Sequence, residues 1–184
     1  MQAGCSTGHD VGWAGLETMI GRGEGELPIN EYAKAIELLD ESYRHWTGEH
    51  LPAPQALTGL ERLHWLHAHA PYSLLAHGTE DDPLFFYANE QALACFKYPR
   101  PEFLGMPSRF SASPLDRAVR QTLLEQVTVH GIAHGYSGYR VDREGNAFMI
   151  HEGKVWTLID RQGVRVGQAA LFWPDAGRIG QLEC

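Results

Sequence analysis

The last third of the chain constrains the fold most. Three segments rich in β-branched and aromatic residues follow one another at 136–141, 148–159 and 164–173. Between them stand two short clusters of turn formers, Glu144-Gly145-Asn146 and Asp160-Arg161-Gln162-Gly163. Strands joined by such tight turns pair antiparallel with their chain neighbours, so these residues predict a three-stranded meander. A four-residue turn at 160–163 pairs Ile159 with Val164, and hence Val155 with Gln168. Because side chains alternate across a sheet, Lys154, Trp156, Gly167 and Ala169 then share one face. His151, Val155, Gln168 and Phe172 share the other, and a bulge exchanges the two faces.

Helical and strand periods mark the residues upstream. Asn30 can cap a helix to about Trp46, whose Tyr32, Ala35, Ile36, Leu39, Tyr43 and Trp46 form one apolar stripe. Thr58-Gly59-Leu60-Glu61 has the form of a capping box and opens a second helix that carries Leu60, Leu63, Leu66 and His67. Residues 72–76 and 84–88 are short and apolar, as strands are, with the turn formers 79–83 between them. Asn89 caps a short helix over 90–96, and Pro99, Pro101 and Gly105 keep 98–106 a loop with brief helical turns. Ser113-Pro114-Leu115-Asp116 starts a longer helix presenting Leu115, Val119, Leu123, Val127 and His130, which Gly131 closes. Five strands, with helices gathered between the second and third, predict an α+β domain whose antiparallel sheet carries helices on one face.

The order β-β-α-α-α-β-β-β and the stretch from Phe86 to Gly105 resemble the PAS signature, a strand ending in Asn, a short helix, a turn and an acidic helix ending in Leu-Gly. More closely, the chain resembles the MEKHLA family, a PAS-related group found as stand-alone bacterial proteins and as a C-terminal module of plant homeodomain–leucine-zipper regulators. The segments that carry the resemblance are 72–78, Phe86-Tyr87-Ala88-Asn89, 106–112, 135–140, 155–160 and 167–172. It covers the chain from about Ile29 to Phe172. Lys97 departs from the Gly frequent at the PAS turn, and no homeodomain or heptad run accompanies the domain. The resemblance implies a PAS-like sensor or small-molecule-binding module and names no ligand or cofactor. It divides the chain into a Gly-rich tail at 1–27, a helical extension at 28–70, the PAS-like domain at 71–174 and a short tail at 175–184.

Charge and composition narrow the partners. Fifteen Lys and Arg against 23 Asp and Glu give a net charge of −8, which disfavours direct contact with nucleic acid. No apolar run approaches a membrane span or a signal peptide, so the chain reads as a cytoplasmic protein. Three cysteines without a Cys-x-x-Cys pair suit reduced thiols rather than a disulfide or zinc framework. His64, His67 and His69 lie close together, yet only the first two share a helical face, and a zinc site needs three or four converging ligands. His130 and His134 flank a helix end, where a cation suits the helix dipole. No nucleophile–base–orienter set stands out, and Gly21-Arg22-Gly23-Glu24-Gly25 lacks the Lys and hydroxyl of a phosphate loop.

These readings converge on a PAS-like sensory or small-molecule-binding module that signals through protein partners. The alternatives are an enzyme acting on a small metabolite in the same cavity, or a haem or metal protein using histidine. Polar side chains inside an apolar pocket orient a ligand, because each needs a hydrogen bond. The candidates are Asn89, Arg109, Tyr139, Arg140, His151, Trp156 and Gln168, with no catalytic or metal residue assigned. The apolar stripe of the first helix needs a cover; in many PAS proteins such an extension packs on the sheet or forms a dimer, and a homodimer is the prediction here.

Overall fold

The computed structural model describes residues 29–112 and 117–174. The glycine-rich tail, the C-terminal tail and the Ser113–Asp116 helix start lie outside the described residues. Helix α1 (Ile29–Thr47) and α2 (Gly59–Ala68) precede strands β1 (Ser73–His77) and β2 (Phe85–Ala88). Then come α3 (Glu90–Phe96), α4 (Arg100–Phe103), a 3-10 turn (Ser108–Ser111) and α5 (Arg117–His130). Strands β3 (Ile132–Val141), β4 (Ala147–Ile159) and β5 (Arg165–Pro174) close the chain. The five strands form one antiparallel sheet in the order β2-β1-β5-β4-β3.

The two meander turns are built alike. In each an aspartate opens a five-residue loop and its carboxylate accepts two backbone N–H groups. Asp142 takes those of Glu144 and Asn146, and Asp160 those of Gln162 and Val164, at 2.8–3.0 Å. The fourth residue, Gly145 or Gly163, sits at φ of +82° or +79°, where a side chain would be strained. Asp160 itself pairs with Val164, so Ile159 faces Arg165 rather than Val164. A bulge then places Leu158 opposite Gly167, and Val155 pairs with Ala170 instead of Gln168. The two one-residue displacements add to an even number, so the pairing differs from the sequence expectation while Val155 and Gln168 stay on the same face.

A second bulge has the opposite outcome. Between the pairs His151–Trp173 and Lys154–Leu171, β4 spends three steps against two on β5. Glu152 absorbs the extra residue at φ +51°. Before it Phe148 and Ile150 face inward, and after it Gly153 and Val155 do. His151, expected beside Val155, is therefore turned to the opposite face and is exposed.

Helices cover both faces. The inner face packs on α3, α4 and α5 through Phe85, Phe96, Phe103, Leu123, Val127, Phe148 and Phe172. The outer face, with Leu74, Trp156, Leu158, Ala169 and Leu171, packs on α1 and α2. Tyr32, Ile36, Leu39 and Tyr43 of α1 are each no more than 3% exposed. Burying a side chain of this size contributes about 1.5–3 kcal/mol, so the extension is part of the core. The stripe that called for a cover finds it within the chain.

Polar contacts fix α1 in place. Buried Asp40 receives a two-pronged contact from Arg62 of α2, at 2.9 and 3.0 Å, and accepts the Leu51 N–H at 2.7 Å. At its end, the Trp46 indole donates to the Thr157 carbonyl and its ring lies over Gly131. Thr58 does precede α2, but its side chain makes no capping bond. Leu60, beyond it, is exposed.

Candidate functional site

Between the inner face of the sheet and the 3-10 turn lies a cavity of about 60 Å³. Its walls are mostly apolar, with Leu75, Phe85, Leu123, Ile150, Val155 and Phe172. Polar groups line it from four directions: Gln168 from β5, Tyr136 and Arg140 from β3, His77 from β1, and Ser108 and Ser111 from the turn. Strand alternation explains the set. Gln168 shares its side of β5 with Ala170 and Phe172, and Arg140 shares its side of β3 with Tyr136 and Gly138. The Arg140 guanidinium donates to the Tyr136 hydroxyl at 3.1 Å and lies 5.1 Å from that ring's centroid. The Ser111 hydroxyl is turned back onto the Ser108 carbonyl at 2.7 Å.

Gln168 is the unusual member. It is 7% exposed, and among the described residues its amide has no hydrogen-bond partner. Its amide opens onto the space of the cavity; the side-chain polar atoms sealed off without a partner among the described residues are the Ser73 hydroxyl and the Trp156 indole nitrogen. The neighbours of Gln168 on the cavity wall, Val155, Ala170 and Phe172, offer only backbone and hydrocarbon.

Of the seven candidates, Arg140 and Gln168 meet in this cavity and the other five do not. Tyr139 follows Tyr136 by an odd step and faces the other way, 44% exposed. His151 is displaced by the Glu152 bulge described above. Trp156 is wholly buried on the outer face, edge-on to Tyr43 at 5.1 Å. Arg109 points outward, pairs with Asp82 through two 2.9 Å bonds and covers the Phe110 ring. Asn89 is fully buried, and its amide is spent on the backbone. Its oxygen accepts from Leu74 and Ala92, and its nitrogen donates to Leu66 and Tyr72. That role joins α2, β1 and α3 at one residue. Tyr136 and Ser108 were absent from the sequence-based set. Tyr136 could have been found, because it lies four residues from Arg140 on the same strand face.

A second polar cluster sits under α1 and α2, away from the cavity. His67 stacks on Tyr32, lies 3.3 Å from both the Tyr87 hydroxyl and an Arg100 nitrogen, and is buried. Burial, with help from Arg100 and His64, pushes its pKa down to about 3, so the ring is neutral. Burial likewise pushes the Tyr87 phenol well up, which keeps its proton on. His64 is spent on the Tyr32 hydroxyl at 3.0 Å. Among the described residues no three His, Cys, Asp or Glu side chains converge as a metal site would need. Nor is any described helix long and apolar enough to cross a membrane.

Lys97, the departure from the PAS turn, ends α3 in the left-handed conformation at φ 57° and ψ 30°. The backbone shape that favours glycine is therefore kept with a lysine. Its ammonium reaches the Asp142 carboxylate at 3.0 Å and also Glu144, linking α3 to the first meander turn.

Comparison with known proteins agrees with this architecture. The profile of one family, described as the MEKHLA domain, matches residues 33–174. No curated protein matches the sequence. Among solved structures, a PAS domain from Colwellia psychrerythraea is similar with a TM-score of 0.52 at 13% identity, covering 60% of this chain and 91% of that one. An RNA-binding light-oxygen-voltage receptor gives a TM-score of 0.55 at 16% identity, over 70% of this chain and 37% of that one. The light-oxygen-voltage domain of a blue-light-activated histidine kinase from Erythrobacter litoralis gives 0.50 at 18% identity, over 58% and 98%. At such identities these likenesses show the PAS-like fold alone.

Proposed function

The chain belongs to the MEKHLA-domain family, and from that premise we propose that it is a PAS-like sensory module. It binds a small molecule in the cavity between the β3–β5 meander and the Ser108–Ser111 turn, and it passes the state of that cavity to protein partners. One observation carries the reading. Gln168 and Arg140 bring polar side chains with unused hydrogen-bonding capacity to a chamber of mostly apolar walls. Convergent polar groups among apolar walls are what orient a ligand in a small-molecule pocket. The RNA binding named for one structural relative does not come with the fold, because this chain spans 37% of that receptor and carries a net charge of −8.

Native mass spectrometry of the protein as expressed tests the reading, together with thermal unfolding against a panel of small metabolites. The expected result is a retained mass, or a raised Tm for some metabolites, that is lost when Ala170→Leu fills the cavity. A protein that carries no bound mass and responds to no metabolite would overturn it.

A further inference from the structure

We propose that the cavity ligand is a small monocarboxylate with an alkyl portion, held by Arg140 with Gln168 as its second polar contact; this rests on the sensory reading above. Charge is the first argument. Arg44, Arg62, Arg100, Arg109 and Arg143 each hold a carboxylate of this chain, and among the described residues the exposed Arg161 and Arg165 hold none and point to solvent. Arg140 faces the cavity, is half-buried, and among the described residues holds none. Its one side-chain partner is the neutral Tyr136 hydroxyl, and its one backbone partner is the Tyr139 carbonyl at 3.5 Å. No Asp or Glu is among the described residues of the lining. A guanidinium with donors to spare beside apolar walls favours an anion, and its planar fork matches a carboxylate.

Size is the second argument. A water-sized probe occupies about 10–15 Å³ on the scale of such volumes, and this cavity measures about 60 Å³. It therefore has room for several water-sized groups, enough for a small organic anion. The buried hydrocarbon of Leu75, Val155, Ile150 and Phe172 suits a short alkyl portion. The Gln168 amide offers both a donor and an acceptor, so it can serve a carboxylate oxygen or a 2-oxo or 2-hydroxy group.

The test uses the whole protein at constant ionic strength. Propionate, butyrate, pyruvate and lactate are compared with the neutral 1-propanol and propanamide and with propylamine. At about twenty times its Kd, the best carboxylate is expected to raise Tm by about 3–6 °C. In ¹H–¹⁵N spectra the same carboxylate should move the Arg140 Nε and Gln168 side-chain amide signals, which needs no variant. Arg140→Gln should weaken carboxylate binding at least tenfold, and Arg140→Lys should weaken it less. Equal response to neutral analogues, or unchanged carboxylate affinity in Arg140→Gln, would overturn the inference and leave the sensory reading standing. A protein that binds no small molecule at all, charged or neutral, would overturn both.

Discussion

Tyr32 and His67 stack ring on ring, their centroids 3.9 Å apart and their planes 1° from parallel. The contact joins the start of α1 to the end of α2, around an imidazole that burial keeps neutral. An unfolded histidine titrates near pH 6.5, whereas His67 in the fold titrates at about 3. Between those values the unfolded chain binds a proton that the folded one refuses. Stability from this residue is therefore complete above pH 6.5 and falls as the pH drops, by at most about 1.4 kcal/mol per unit. Urea unfolding at pH 7, 6 and 5 should show a steeper acid loss for the native chain than for His67→Phe. Equal slopes would contradict this account.

Gln168→Leu should change the stability of the ligand-free protein by less than about 1 kcal/mol, because the amide has no hydrogen bond to another described residue to lose. The same variant should lose its Tm response to small molecules. Chemical denaturation and thermal shift report the two effects separately. A destabilised variant would mean that the amide has a structural role.

Asn89→Ala should cost about 2–4 kcal/mol, since two backbone donors and two backbone carbonyls lose their partner together. The effect should appear in the urea midpoint. Any ligand response that survives at lower temperature should keep its native affinity.

Lys97→Gly and Lys97→Ala lose the same contacts to Asp142 and Glu144, so their difference isolates the backbone. Glycine should be the more stable of the two by about 1 kcal/mol, because alanine pays for the left-handed conformation. Equal denaturation midpoints would argue against that conformation at residue 97.

Gly131→Ala should cost about 2–3 kcal/mol. Its φ of +75° disfavours any side chain, and a Cβ there overlaps the Trp46 ring, which is held by its indole bond to Thr157. Trp46 fluorescence should shift along with the loss of stability.

Most of the architecture was legible in the sequence because its signals are local. Aspartate and glycine at fixed spacing announce the meander turns, and a helical stripe announces α1. The site was less legible because it depends on register, and register accumulates single-residue shifts. Gln168 survived two of them because parity returns after an even number. His151 did not, since the Glu152 bulge is a single insertion that no composition signal marks. Asn89 and Trp156 are polar or amphipathic groups whose partners come from distant segments. A capping asparagine looks the same in sequence whether it serves one helix or, as here, three elements.

The sheet with α1 on one side and the cavity on the other works as a partition one strand thick. Gln168 borders the chamber, while Ala169, the next residue, belongs to the layer under α1. Val155 and Trp156 divide in the same way on β4. A single layer of strand separates the chamber from α1, and adjacent residues of one strand border the two sides.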